Sequence, residues 1–118
     1  SDANYTFSSS QWEYHETKHL PESKKFYESF FKIYKKKPTY HAATAYAAGQ
    51  ILEAAIKKTG TLQRDKIRDR LSTMETMSII GRYGVDKTGM QIKHFPFIIQ
   101  WQNGKKEIIW PEEFMTSK

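Results

Sequence analysis

Asn103-Gly104, set between two runs of apolar, β-branched and aromatic residues, most narrows what this chain can become. A type I′ turn needs φ > 0 at both central positions, and Asn-Gly meets that demand most readily. The run 95–101 therefore folds back on 107–110, with Pro111 after it. Upstream, residues 81–86 form a strand that enters a turn at Asp86-Lys87-Thr88-Gly89. In 95–101, Phe95, Phe97, Ile99 and Trp101 share one side and Ile98 takes the other. A sheet of two or three strands cannot shield both faces alone. Almost everything before this block reads as helix, so helices and strands together look like pieces of something larger.

The helices follow from spacing and punctuation. Pro21 suits a first helical turn, and Phe26, Phe30, Ile33 and Tyr34 recur at three- and four-residue intervals until Pro38 stops the pattern. A second helix is expected from Tyr40 or His41 to about Lys58, with an alanine-rich start that permits close approach and Gly60 as its end. A third spans 62–72, capped by Thr61 and buried through Ile67 and Leu71. Residues 4–14 suit a short strand running into a polar, aromatic-tipped loop. Residues 15–19 and 74–78 read as irregular connectors, and 112–118 as a loose tail. Ser1-Asp2-Ala3 resembles a cloning remnant.

Composition excludes several chemistries. There is no cysteine, so thiolate catalysis, disulfides and Cys-ligated metals drop out. The four histidines lack metal-ligand spacing, and neither a nucleophile elbow nor a glycine-rich phosphate loop occurs. We expect no enzyme, no metal and no cofactor. No stretch approaches the roughly 18 apolar residues of a membrane span. The formal charge of +6 is spread over helix faces and turns, and the one run, Lys35-Lys36-Lys37, complements a helix C-terminus. Trp101 and Trp110 flank the Asn-Gly turn and are expected to pair across the strands rather than to stack nucleic-acid bases.

The order of three segments carries a resemblance. Residues 38–52 (Pro-Thr-Tyr-His-Ala-Ala-Thr-Ala-Tyr-Ala-Ala-Gly-Gln-Ile-Leu) are followed by 55–60 (Ala-Ile-Lys-Lys-Thr-Gly) and 65–71 (Asp-Lys-Ile-Arg-Asp-Arg-Leu). With Val85-Asp86-Lys87-Thr88-Gly89 and the 100–111 hairpin, this resembles the C-terminal part of type I periplasmic solute-binding proteins, the branched-chain amino acid receptors of ABC importers. The resemblance covers roughly residues 20 to 111. It implies an α/β fragment of a two-lobed fold: three helices followed by an antiparallel strand and hairpin block. It further implies a solute held in a cleft that closes by hinge motion, delivery to a membrane permease, and a periplasmic or extracellular place. In that frame, 4–21 is a hinge-proximal strand and loop, 22–73 the helical part of the N-terminal lobe and 74–111 strands of the C-terminal lobe.

Four residues are candidates for solute contact. Tyr40 and His41 stand where a helix N-terminus offers free N–H groups and a favourable dipole to an anion or polar group. The matching place in the family faces the cleft. Trp12 can stack on the apolar part of a solute and Ser10 can hydrogen-bond its polar end. The plainer alternatives are that Tyr40 packs, His41 is a surface residue, and Trp12 packs within a solvated loop. A different class of function, a free-standing basic α+β module that binds nucleic acid or a protein, would declare itself by salt-dependent affinity. An isolated fragment is expected to self-associate.

Overall fold

A computed structural model describes residues 3–117; Ser1 and Asp2 of the expected remnant lie outside the described residues. Strand β1 (Phe7–Ser10) leads to a short helix α1 (Tyr14–Thr17), then α2 (Ser23–Tyr34), α3 (Tyr40–Thr59) and α4 (Arg64–Leu71). Strands β2 (Thr76–Ser78), β3 (Gly81–Tyr83), β4 (Phe97–Gln102) and β5 (Lys105–Trp110) follow, and a 3-10 turn covers Glu112–Phe114. The strands form two antiparallel sheets, β1-β4-β5 and β2-β3.

Local chemistry sets most of these boundaries. Asn103 and Gly104 have φ of 52° and 75°, the two left-handed positions that a type I′ turn requires. Thr39, in extended conformation, caps α3 by accepting the Ala42 N–H at 3.4 Å, and Gly60 ends the helix at φ 67°. Helix α2 stops at Lys35, left-handed at φ 56°, before Pro38 is reached.

Two hydrophobic clusters result. The first joins Trp12, Phe26, Ala43, Ala47 and Ile79. Ala43 and Ala47 are fully buried, and their small side chains let aromatic rings lie close to α3: Phe26 meets Tyr46 at 4.8 Å and Trp12 edge-on at 5.9 Å. The second joins Phe97, Ile99 and Ile108, with Phe114 edge-on to Phe97 at 5.5 Å. The backbone passes between the clusters at 11–13 and at 84–96. The radius of gyration is 16.4 Å, against about 13.5 Å for a compact chain of this length. The molecule is drawn out to 52 Å along its long axis, as two cores joined by two connections require.

Several expectations change. Residues 14–17 are helical rather than irregular, because the Thr17 hydroxyl and N–H both bond the Glu13 carbonyl. Part of the 74–78 connector is a strand: Thr76 faces Tyr83 and Ser78 faces Gly81. That hairpin packs on α3, with the Ile79 N–H donating to Gln50 Oε1 at 2.9 Å, so 76–83 sits with the helices rather than with β4 and β5. Helix α4 is shorter than expected, and Thr61 accepts from Gln63 N in the turn before it instead of capping it. Trp101 opposes Lys106 and Trp110 opposes Ile98, so the two tryptophans are not a cross-strand pair. A register irregularity between Ile98 and Ile99 contributes to that offset. The tail is not loose over 112–117, Lys118 lying outside the described residues: the Thr116 N–H donates to the Ile108 carbonyl at 2.9 Å, and Ile108 N–H donates to Thr116 Oγ1 at 2.8 Å.

A polar clasp locks the helical layer. Glu22 Oε2 accepts from the Tyr46 hydroxyl and from Gln50 Nε2, both at 3.2 Å, and Gln50 in turn holds Ile79. The Gln50 bond first, then those from Lys25 and Tyr46, hold the Glu22 carboxyl below the usual glutamate range. A depressed folded value means the stabilisation is complete above the unfolded pKa of about 4.3 and fades as pH falls through the lower folded one. Urea midpoints of wild type and Glu22→Gln should therefore differ at neutral pH and converge in acid. Parallel curves over that range would remove the carboxylate from the argument.

Candidate functional site

Beside the first core lies a recess with a cavity volume of about 640 Å³. One side is the N-terminal end of α3. Pro38 is buried, and Thr39, in extended conformation, caps the helix, so the first-turn N–H groups at Tyr40 and His41 point beyond the helix with the positive end of its dipole. The Tyr40 and His41 rings stack at 4.0 Å with 26° between planes. A second side is an aromatic stack from α1 and α2, where Tyr14 and Tyr27 lie 4.0 Å apart and 13° from parallel. The third is Lys106 of β5, whose Nζ lies 2.6 Å from Glu13 Oε1. Lys37 and His15 complete the lining.

The electrostatics favour an anion. Glu13 is the one carboxylate on the described lining and it is already paired with Lys106, whereas Lys37 and the α3 dipole have no anionic counterpart there. The tyrosine rings offer an apolar wall with polar tips.

Of the four candidate residues, the structure brings three together. Tyr40 and His41 line the recess from one side and Trp12 from below. Trp12 is only 3% exposed, however, so its ring serves the core and gives a solute little area to stack on. Its indole Nε1 is buried with no protein acceptor among the described residues. Ser10 is off the lining: its hydroxyl donates to the Trp12 carbonyl at 3.1 Å and accepts the Trp12 N–H at 3.4 Å, bracing the loop. Tyr14, Tyr27 and Lys106 were not legible as site residues. Tyr27 lies one position off the buried stripe of α2, a signal in hindsight, while Lys106 reaches the recess only through tertiary contact.

Antiparallel strands at one end, a helical layer at the other and a solute-sized recess where they meet define part of an α/β binding fold. The chain belongs to the periplasmic binding protein family, whose profile matches residues 1–106. Solved structures agree on the fold. A leucine-binding protein from Thermotoga maritima superposes with a TM-score of 0.74 at 24% identity, over 90% of this chain and 30% of that one. An ABC transporter substrate-binding protein from Desulfitobacterium hafniense, in complex with Leu, gives 0.71 at 22%, over 91% and 32%. A solute-binding protein from R. palustris in complex with benzoate gives 0.70 at 18%, over 98% and 34%. The chain thus spans about a third of those proteins and matches a fragment of the type I periplasmic binding protein fold.

Proposed function

We propose that these residues form part of an extracytoplasmic solute-binding receptor that captures amino acids or related small polar organic solutes for an ABC-type importer and presents them to its membrane permease. The observation that carries this reading is the uncommitted positive end of α3, with Tyr40 and His41, opening on an aromatic recess. That arrangement suits a carboxylate at the α3 end and an apolar body against Tyr14 and Tyr27. The solutes of the relatives fit the same description: Leu in one, benzoate in another. Tyr40 and His41 make the polar contacts, Trp12 holds the floor, and Ser10 keeps the Trp12 loop in place. The helical layer with β2 and β3 belongs to one lobe, β1, β4 and β5 to the other, and 11–13 and 84–96 cross between them. Solute that touches both lobes shifts the population from open to closed.

The test is calorimetric titration of the full-length receptor with leucine and with benzoate. Tyr40→Ala and His41→Ala should each weaken the bound carboxylate by about 10- to 100-fold, the loss of one hydrogen bond to a charged group. Wild-type affinity in both variants would sink this site. Salt-sensitive binding to DNA with no solute binding would favour the free-standing basic module instead.

A further inference from the structure

His94 lies in the second connection, 84–96, and Gln11 in the first, 11–13. They are 83 residues apart in sequence, and His94 Nε2 meets Gln11 Oε1 at 3.1 Å. The other face of the imidazole rests on the helical layer: Nδ1 is 3.6 Å from where a Gly81 Cβ would stand, and the Ile80 carbonyl is within reach of the ring. Ile80 packs on the core cluster that contains Ile79, and Gln11 directly precedes buried Trp12. One ring therefore touches both connections and the helical core. We propose that His94 is a positioning residue that fixes the two connections against each other and so sets the relative placement of the two lobes and, through Gln11, of Trp12 and Glu13 in the recess. This rests on the two-lobed reading above.

The chemistry suits a fixed joint rather than a switch. Burial pushes the His94 pKa down, and the Ile80 carbonyl only partly counters it, which keeps the ring neutral near pH 7. A neutral ring has one donor and one acceptor. Nδ1–H can donate to Ile80 while Nε2 accepts from the Gln11 amide, which needs only a turn of that amide. A protonated ring can donate to both carbonyl oxygens instead. Glu16, His19, Arg82, Lys93 and Glu113 share the small cavity beside His94, a mixture of signs that includes no buried countercharge. A glycine at 81 also matters here, since its φ of 112° is strained for any side chain and places the backbone beside the ring.

The experiment is a distance measurement in the full-length receptor without solute, so it is independent of the solute reading. These 118 residues contain no cysteine, so Lys32→Cys on α2 and Lys105→Cys on the β4–β5 hairpin can carry spin labels. His94→Phe and Gln11→Leu should each broaden the label-to-label distribution toward longer separations, and the double variant should be no broader than either single one. Imidazole nitrogen NMR is the second readout: Gln11→Glu should raise the His94 titration midpoint, because a carboxylate favours the charged ring. Unchanged distributions, additive broadening, or a midpoint indifferent to Gln11→Glu would each overturn the proposal. If His94→Phe does not fold, Gln11→Leu and Gln11→Glu still decide it. Loss of solute affinity with these readouts intact would count against the site, not the joint.

Discussion

Trp12→Ala is expected to lower the free energy of unfolding by about 3–5 kcal/mol, the cost of emptying a large buried aromatic site. Trp12 is 3% exposed and lies between Phe26, Tyr14 and the buried alanines of α3. Helices α1, α2 and α3 meet at that ring, and on the α3 side the gap is bordered by Ala43 and Ala47, whose methyl groups cannot extend to fill it. Against a typical stability of about 5–15 kcal/mol the loss would leave the helical layer marginal. Trp12→Phe should restore most of it, because Trp12 Nε1 gives up no protein hydrogen bond. Urea unfolding followed by circular dichroism measures the difference, and fluorescence identifies it: Trp101 and Trp110 are 39% and 47% exposed, so the blue-shifted part of the emission comes from Trp12. An alanine variant with a wild-type urea midpoint would show that the ring is not the keystone of this core.

The same residue shows why some of the molecule was legible before any coordinates and some was not. Punctuation that acts within a few residues was readable: Asn103-Gly104 turns, Gly60 ends a helix, and Thr39-Tyr40-His41 places two side chains at a helix start. The recess depends on contacts that spacing does not encode. Tyr14 reaches Tyr27 only because residues 14–17 become a helical turn, and Lys106 reaches Glu13 across the fold. Strand β2 has three residues, too few for alternation to be visible, and its turn is the apolar pair Ile79-Ile80, the first buried and the second half-buried against the helical core, where a solvated turn would be polar. Trp12 drew attention as a solute contact because an aromatic in a polar loop looks exposed. Its packing is settled by Phe26 and Ala43, on helices distant in sequence.

The isolated 118-residue chain should self-associate, and its own edges indicate how. Phe7, Ile33, Leu62 and Phe95 are 65% to 76% exposed, and burial of such surface stabilises by about 25 cal/mol per Å². Among the described residues β1 pairs with β4 on one side and with no strand on the other, while Lys105 and Lys106 begin β5 and Thr116 bonds to its Ile108. Lysine and a covering segment both protect an edge from pairing. Phe7-Ser8-Ser9 is exposed and carries no lysine, with only Ser10 buried, so β1 is the open edge of this sheet, and two copies related by a twofold axis can pair there antiparallel. The charge of +6 per chain opposes this, so association should strengthen as salt screens the repulsion. Phosphate-backbone binding has the opposite salt dependence, so one pair of salt concentrations separates the two behaviours. Sedimentation equilibrium should show mass rising with concentration and with salt, and Ser8→Lys should suppress the rise. A single monomer mass under all those conditions would mean that the edge is already satisfied and that the exposed apolar side chains do not need a neighbour.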